Sequence, residues 1–206
     1  MKKMTAAMAA LGVVAGLGAA ALPLASYASE ATVPVTAVID DALSITLTDA
    51  STADALGADG VLIEGVTPGN TNVSTRSIAV TVNGNDQQHT YKLTLEDRST
   101  DNALISAAGD RIEAVSGSSM GGSSTATSAW GFSTSTSNPT TAPTSWKAVP
   151  ARGGTPAQLL TGTGNTGTVP ANGKATTYVT FGVFANENQQ PGRYTTDVVF
   201  TATAQN

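Results

Sequence analysis

The stretch Lys174-Ala-Thr-Thr-Tyr-Val-Thr-Phe-Gly-Val-Phe-Ala185 carries the clearest fold signal in this 206-residue chain. Its large apolar side chains recur at every second position, which is the pattern of a β-strand with a buried face. After the polar turn 186–192, a second alternating run continues to the C-terminus. We therefore predict that these two runs form a second β-hairpin of the last two strands, with the C-terminal strand central or paired on both sides. Their apolar positions are predicted to form one buried layer, with two tryptophans packed against it: Val179, Phe181, Val183, Val198, Phe200, Trp130 and Trp146.

Similar alternation appears upstream. The runs 78–82 and 91–95 flank Asn83-Gly-Asn-Asp86, and this arrangement predicts a β-hairpin. Another run spans Leu43 to Leu47, and Val61-Leu62-Ile63 is a short buried-strand candidate. We count about eight strands and no convincing helix after residue 28. The chain is therefore predicted to be all-β, an antiparallel β-sandwich of Ig-like or jelly-roll-like type.

The N-terminus has the features of a secretory signal peptide, residues 1–28. Two lysines precede an apolar run over 5–24, and small residues stand at Ser26 and Ala28. Cleavage after Ala28 would leave one β-sandwich domain, residues 29–206, secreted or at the cell surface, with no membrane span. An uncleaved membrane anchor is the alternative, since the apolar run is nearly long enough to cross a bilayer.

The composition of the chain excludes some classes of binding partner and some means of stabilisation. The chain after residue 28 has eight basic and 15 acidic residues, a net charge of −7, which makes nucleic acid a poor partner. It contains no cysteine, so packing and strand pairing alone must hold an exported fold together. Low charge with many β-branched residues is unlike a disordered segment.

No catalytic constellation is visible in the sequence. His89 is the only histidine, and it lies beside the predicted hairpin turn, where a solvated turn residue is the simpler interpretation. No serine stands in a Gly-x-Ser-x-Gly motif. We therefore predict that the protein is not an enzyme and has no catalytic, cofactor-binding or metal-binding residues and no cofactor.

Three groups of residues invite a binding hypothesis. One is a concentration of acidic residues that is a candidate calcium site, although its spacing does not match a calcium loop and a solvated acidic loop is preferred. The second is the tryptophan pair, which is either a sugar-stacking platform or, as we prefer, core. The third is the pair of Ser/Thr/Gly-rich loops near 116–129 and 133–145, which could form a recognition surface. The acidic residues are Asp40, Asp41, Asp49, Asp54 and Asp59, and Asn72-Val-Ser74 is in addition a glycosylation triplet.

Four sequence motifs of the chain resemble those of exported bacterial surface proteins with Ig-like or pilin-like sandwich domains. They are Trp130-Gly-Phe132, Ser145-Trp146 with Pro150, Thr180-Phe-Gly-Val183 and Pro191-Gly-Arg-Tyr194. The chain departs from WxL domains because it lacks Trp-x-Leu, from type IV pilins because it lacks their long N-terminal helix, and from chaperone–usher pilins because it lacks cysteine. The resemblance implies an exported structural protein, an adhesin or fibre subunit. Its implied partners are other surface proteins, copies of itself, or host or glycan ligands. The alternative is a secreted carbohydrate- or protein-binding module.

The segment Ala31 to Thr48 raises one further hypothesis. It is extended in pattern and apolar at alternate positions, so it can complete its own sheet or add to the open edge of a neighbouring copy. An ordinary first strand is the simpler interpretation. The side chains that a neighbour would receive are Val33, Val35, Leu43, Ile45 and Leu47.

Overall fold

The computed structural model describes residues 43–58, 60–70, 72–84, 90–123, 126–159, 167–168 and 174–205. The predicted signal peptide 1–28, with its cleavage site, lies outside these residues. The described part is all-β and contains no helix, as predicted. Consistent with this, no helix in that part is long and apolar enough to cross a membrane.

Eleven strands are present in the described residues, compared with the eight or so expected, because several are only two to four residues long. They are β1 Leu43–Asp49, β2 Ser74–Gly84, β3 Thr90–Asp97, β4 Leu104–Ser106, β5 Arg111–Ala114, β6 Ala129–Ser135, β7 Ala157–Gln158, β8 Gly167–Thr168, β9 Lys174–Phe184, β10 Tyr194–Thr195 and β11 Val198–Gln205.

The strands form two sheets. The larger has seven strands in the order β1-β2-β9-β6-β5-β4-β10, and the smaller has the order β11-β3-β7, with β8 also paired to β3. Neighbouring strands are antiparallel except β5 and β6, which pair in parallel, with Glu113 opposite Ala129. The prediction of a purely antiparallel arrangement is therefore wrong at this pair. β5 and β6 are separated by 14 residues, which is long enough for the crossover connection that a parallel pair requires.

Neither predicted hairpin forms. β2 lies between β1 and β9, whereas β3 pairs with β11, β7 and β8 in the other sheet. Likewise β9 lies between β2 and β6, and β11 pairs only with β3 among the described strands, at an edge rather than centrally. A turn signal shows that the chain reverses, but the return strand can join either sheet. Because β3 and β11 cross to the smaller sheet, β2 pairs with β1 and β9, and β9 pairs with β2 and β6.

The core draws on both sheets. Ile78, Val80 and Val82 of β2 and Leu93 and Leu95 of β3 are fully or almost fully buried. The predicted core residues of β9 belong to the same cluster as Trp130, which confirms that part of the prediction. Val198 and Phe200 pack against this cluster but are only partly buried. The β9 members of the cluster are Val179, Phe181 and Val183.

Trp146 is buried, but it lies on the opposite face of the larger sheet from the core. A Cβ atom placed on Gly182 would overlap the Trp146 ring, and Gly182 points away from the core-facing Phe181 and Val183. The predicted single layer containing both tryptophans is therefore wrong for Trp146. The backbone of Lys147 pairs with Phe132 at the edge of β6 (N···O 2.8 and 2.9 Å), and this pairing places the indole over the outer face.

Candidate functional site: an apolar groove

An apolar groove of about 860 Å³ opens at one end of the two sheets. It runs between the extended segment 60–66 and the segment 189–200. Core side chains form its floor, so the groove reaches the hydrophobic interior rather than lying on the surface. Its volume falls within the range of about 300–1,000 Å³ that is usual for ligand sites. The floor residues are Ile78, Ile112, Trp130, Phe181 and Val183.

A tight turn directs the chain from β1 into the first wall. The Asp49 carboxylate, only 6% exposed as a residue, accepts hydrogen bonds from the Ser51 hydroxyl and from the backbone N–H groups of Ser51 (2.7 Å) and Thr52 (3.2 Å). Arg76 donates to its other oxygen. These hydrogen bonds, the Ser51 hydroxyl foremost, lower the pKa of Asp49 to about 2. Asp49 is therefore a structural carboxylate that holds the turn.

The first wall has an extended pattern but belongs to no described strand. Val61, Ile63 and Val66 are half-buried and pack against the core, while Leu62 is 44% exposed. The backbone of 61–66 makes no backbone–backbone hydrogen bond to the described part of the chain. The predicted buried strand at Val61-Leu62-Ile63 is thus wrong in its pairing and in the burial of Leu62.

The second wall combines the short strand β10 with the start of β11. The Tyr194 hydroxyl donates to the carbonyl of Gln190 (2.7 Å) and accepts from Gln189 Nε2 (2.7 Å). Gln189 also donates to the carbonyl of Arg111 (3.3 Å), which ties the wall to β5. The tyrosine ring packs against the core cluster. This wall is therefore anchored at both ends by side chains.

A second buried aspartate fixes the start of β11. Asp97 is fully buried, and its carboxylate accepts from the Ser99 N–H (2.7 Å), the Ser99 hydroxyl (2.8 Å) and the Thr196 hydroxyl (2.8 Å). Sequence reasoning did not single out Asp97. The signal was present, because Asp49-Ala-Ser51 and Asp97-Arg-Ser99 share the Asp-x-Ser spacing of a side-chain-capped turn.

The groove has a simple electrostatic character. Its charged lining residues are Arg98, Arg193 and Asp197, and Arg98 lies 3.7 Å from Asp197 on the exposed rim. The remaining lining is apolar or neutral. An apolar cleft with two extended walls is suited to receiving an extended, predominantly apolar polypeptide.

The predicted acidic site is only partly described. Asp40, Asp41 and Asp59 lie outside the described residues, as does His89. The Asp49 carboxylate accepts hydrogen bonds from the β-turn that follows it, and the Asp54 side chain is exposed. In the part of the chain that the structure describes, no three His, Cys, Asp or Glu side chains come together in a way that could hold a metal ion.

Both tryptophans are buried, as we preferred on sequence grounds, but only Trp130 belongs to the core, and Trp146 lies on the outer face of the larger sheet. Each is 3% exposed, and the Trp130 indole N–H donates to the carbonyl of Asn102 (2.8 Å). Neither offers a free ring face to a sugar, so the sugar-platform interpretation is wrong for these two residues. In the described parts of 116–129 and 133–145 most Ser and Thr side chains are exposed or half-buried, and Asn72 is exposed.

Comparison with known proteins adds no relative: the chain matches no protein-family model and no curated protein in sequence. The groove and its two walls are therefore the features from which a function can be inferred.

Proposed function

We propose that the protein is an exported, non-catalytic structural protein of the cell surface or of an appendage, such as an adhesin or fibre subunit, and that the groove is its protein-contact site. The observation that supports this most is the combination of an apolar floor with an extended wall, 61–66, that makes no backbone–backbone hydrogen bond to the described residues. Such a site recognises a polypeptide by burial and main-chain hydrogen bonds. Contacts of this kind would hold an exported protein without a lipid or a membrane span.

The two sheets are proposed to face each other as a sandwich of Ig-like or jelly-roll-like type. The shared core supports this, because Val80 and Val179 of the larger sheet belong to one buried cluster with Leu93 and Leu95 of the smaller sheet. A sandwich of this kind has a hydrophobic interior and a polar exterior, which suits a protein that works outside the cell.

Export is proposed to remove residues 1–28. The support is the sequence pattern of two lysines, an apolar run, and small residues at Ser26 and Ala28. The intact mass of the exported protein is expected to correspond to a chain that begins at Ser29. A protein recovered only from membranes with Met1 retained would contradict the export route.

A secreted binding module is the second candidate, favoured by the exposed Ser and Thr side chains of 136–137 and 140–145. The burial of both tryptophans argues against a carbohydrate-binding module, since sugars are usually held by exposed aromatic rings. A glycan pull-down with the exported protein separates the two candidates. Retention on a defined glycan would favour the module.

Electron microscopy of intact producing cells, with a label directed against the domain, tests the proposed function. Label along filaments or in clustered arrays on the outer surface is the expected result. Label confined to the cell interior, or a protein found only as a dispersed species in the medium, would count against a structural surface role.

A further inference from the structure

We infer that the loop 136–145 is a site of O-linked glycosylation, where a glycosyltransferase joins sugar units to the hydroxyl groups of threonine and serine. The loop follows β6 and reads Thr136-Ser-Asn-Pro-Thr-Thr-Ala-Pro-Thr-Ser145. The inference goes beyond the proposed structural role, and it does not depend on the groove.

The composition of this loop is that of a glycosylated segment. Six of its ten residues are serine or threonine, and Pro139 and Pro143 are two of the other four. No charged residue lies between Glu113 and Lys147. Segments rich in serine, threonine and proline are typical of O-glycosylated stalks. The loop therefore has no charged side chain for an ionic ligand, whereas its hydroxyl groups are suitable acceptors of sugar.

The hydroxyl groups of the loop are accessible. All six serine and threonine residues are exposed, and none of their hydroxyl groups makes a hydrogen bond to the part of the chain that the structure describes. A hydroxyl group that held a buried contact could be modified only with the loss of that contact. These hydroxyl groups can therefore accept sugar without disturbing the packing of the sheets. They belong to Thr136, Ser137, Thr140, Thr141, Thr144 and Ser145.

The backbone of the loop lies outside the strands of both sheets. Each proline fixes its own φ and disfavours the helical conformation of the residue before it. Asn138 Nδ2 donates to the carbonyl of Ala50 (2.7 Å), and the Trp146 N–H donates to the carbonyl of Ser118 (2.9 Å). The loop 136–145 itself makes no backbone–backbone hydrogen bond to the described residues. A transferase can therefore bind the loop without separating two paired strands.

The other hydroxyl-rich segment, 116–129, is less suited to modification. Its spacing residues are glycines instead of prolines, and the backbone turns at Gly121 and Gly122, where φ is 77° and 89°. Ser128 is buried, and its hydroxyl accepts a hydrogen bond from the N–H of Asn186 (3.0 Å). Two segments of similar composition thus differ in backbone conformation and in the use of their hydroxyl groups, and the difference favours 136–145.

The transfer is a substitution at the anomeric carbon of an activated sugar. The donor is a sugar joined through that carbon to a diphosphate, and the producing cell supplies it. The hydroxyl oxygen of threonine or serine forms a bond to the anomeric carbon, while the bond from this carbon to the phosphate oxygen breaks. The diphosphate leaves with the electron pair, and a base of the transferase takes the hydroxyl proton. This chain supplies only the acceptor.

Mass spectrometry of the protein from its native producing cells tests the inference. No lysine or arginine lies between Arg111 and Lys147, so trypsin releases 112–147 as one peptide that contains both hydroxyl-rich segments. The expected peptide is heavier than its sequence by whole sugar units, which fragmentation locates in 136–145 and alkaline β-elimination releases. A peptide with the mass of its sequence alone would overturn the inference. Sugar confined to 116–129, or to Asn72 of the glycosylation triplet, would overturn it as well.

A pair of matched variants separates the loop from exposed threonines in general. In the first variant the four loop threonines become valine, which keeps their shape and removes their hydroxyl groups. In the control, four exposed threonines within strands become valine, and their backbones are held in paired strands. The loop variant is expected to lose threonine-linked sugar, and the control is expected to keep it. Equal threonine-linked sugar in the two variants would contradict the inference. The substitutions are Thr136→Val, Thr140→Val, Thr141→Val and Thr144→Val in the loop, and Thr46→Val, Thr75→Val, Thr201→Val and Thr203→Val in the control.

This inference and the proposed function fail separately. Surface arrays of a protein without sugar would refute glycosylation and leave the structural role standing. Sugar in the loop of a protein that is never found in surface assemblies would support glycosylation and refute the structural role.

Discussion

The indole of Trp146 lies on the backbone of Gly182, and this contact explains why glycine stands in the middle of the longest alternating run. Gly131, opposite Gly182 on β6, is similarly restricted: a Cβ there would lie 2.6 Å from the Lys147 carbonyl oxygen and 2.9 Å from Val115 Cγ1. Two adjacent positions without side chains thus let the segment around Trp146 approach the outer face of the sheet. Glycine weakens a strand in general, but here it is required by close packing.

Gly182→Ala is expected to destabilise the protein by about 1–3 kcal/mol, because the added methyl group must displace a buried ring in a packed site. Urea unfolding measures the change. Gly117→Ala is the matched control, since a Cβ at Gly117 meets no atom within 4 Å, and its effect should stay within about 0.5 kcal/mol. Equal stability of the Gly182→Ala variant and the parent protein would show that Trp146 does not pack on this strand.

Asp49 makes the stability of the fold sensitive to acid. Its pKa is lowered from 3.8 to about 2, mainly by the Ser51 hydroxyl, so the folded state favours the ionised carboxylate. The resulting stabilisation is fully present above pH 4 and is lost as the pH falls toward 2. We expect the free energy of unfolding of the parent protein to fall over this range more steeply than that of Asp49→Asn.

Urea titrations from pH 2 to pH 6 measure this difference in slope. Ser51→Ala removes the largest single cause of the shift, so its curve should lie between those of the parent and Asp49→Asn in steepness. Parallel curves for all three proteins would contradict the assigned role of Asp49.

At the level of elements, β9 organises the larger sheet. It lies between β2 and β6, and from Val179 to Phe184 its residues are buried on both faces. The inner face meets the core, and the segment around Trp146 covers part of the outer face. On the exposed half of the same strand, Thr176 pairs with Thr81 of β2, with 2.9 Å between their hydroxyl oxygens. β2 therefore belongs with β9, although it precedes β3 in sequence.

A disulfide between Thr81→Cys and Thr176→Cys tests this pairing in a chain with no other cysteine. The pair is expected to oxidise readily and to stabilise the protein, typically by about 2–4 kcal/mol, because it closes a long loop. Thiol labelling before and after oxidation reports the bond. Thr81→Cys with Lys92→Cys is the control, since Lys92 belongs to the other sheet, where it lies opposite Thr203. In a hairpin of the runs 78–82 and 91–95, position 81 would face position 92, so preferential linking to position 92 would favour the hairpin that the structure lacks.

At the scale of the whole molecule, the two sheets share one hydrophobic core, and the groove opens at one end of it. The sequence contains no cysteine, so the stability of the fold depends on this shared core and on strand pairing rather than on a disulfide.

The sequence alone determined that the chain is all-β and predicted much of its core. Strict alternation in 174–185 predicted a strand with Val179, Phe181 and Val183 buried, and this is correct because alternation reports directly which face of a strand avoids water. The sequence also favoured burial over exposure for both tryptophans, which is correct, but it did not show that Trp146 packs on the outer face of the larger sheet.

Strand partners, by contrast, depended on the packing of the complete chain. β2 and β3 are separated by a clear turn signal yet join different sheets, because pairing is settled by the burial available to each strand and not by the turn between them. The groove was invisible for the same reason. Its floor draws Ile78, Trp130 and Phe181 from three strands that are far apart in sequence, and its walls come from 60–66 and 189–200. These segments come together at one end of the core only when the sheets pack. Local periodicity carries no information about such contacts, because it reports only which face of a single strand is buried.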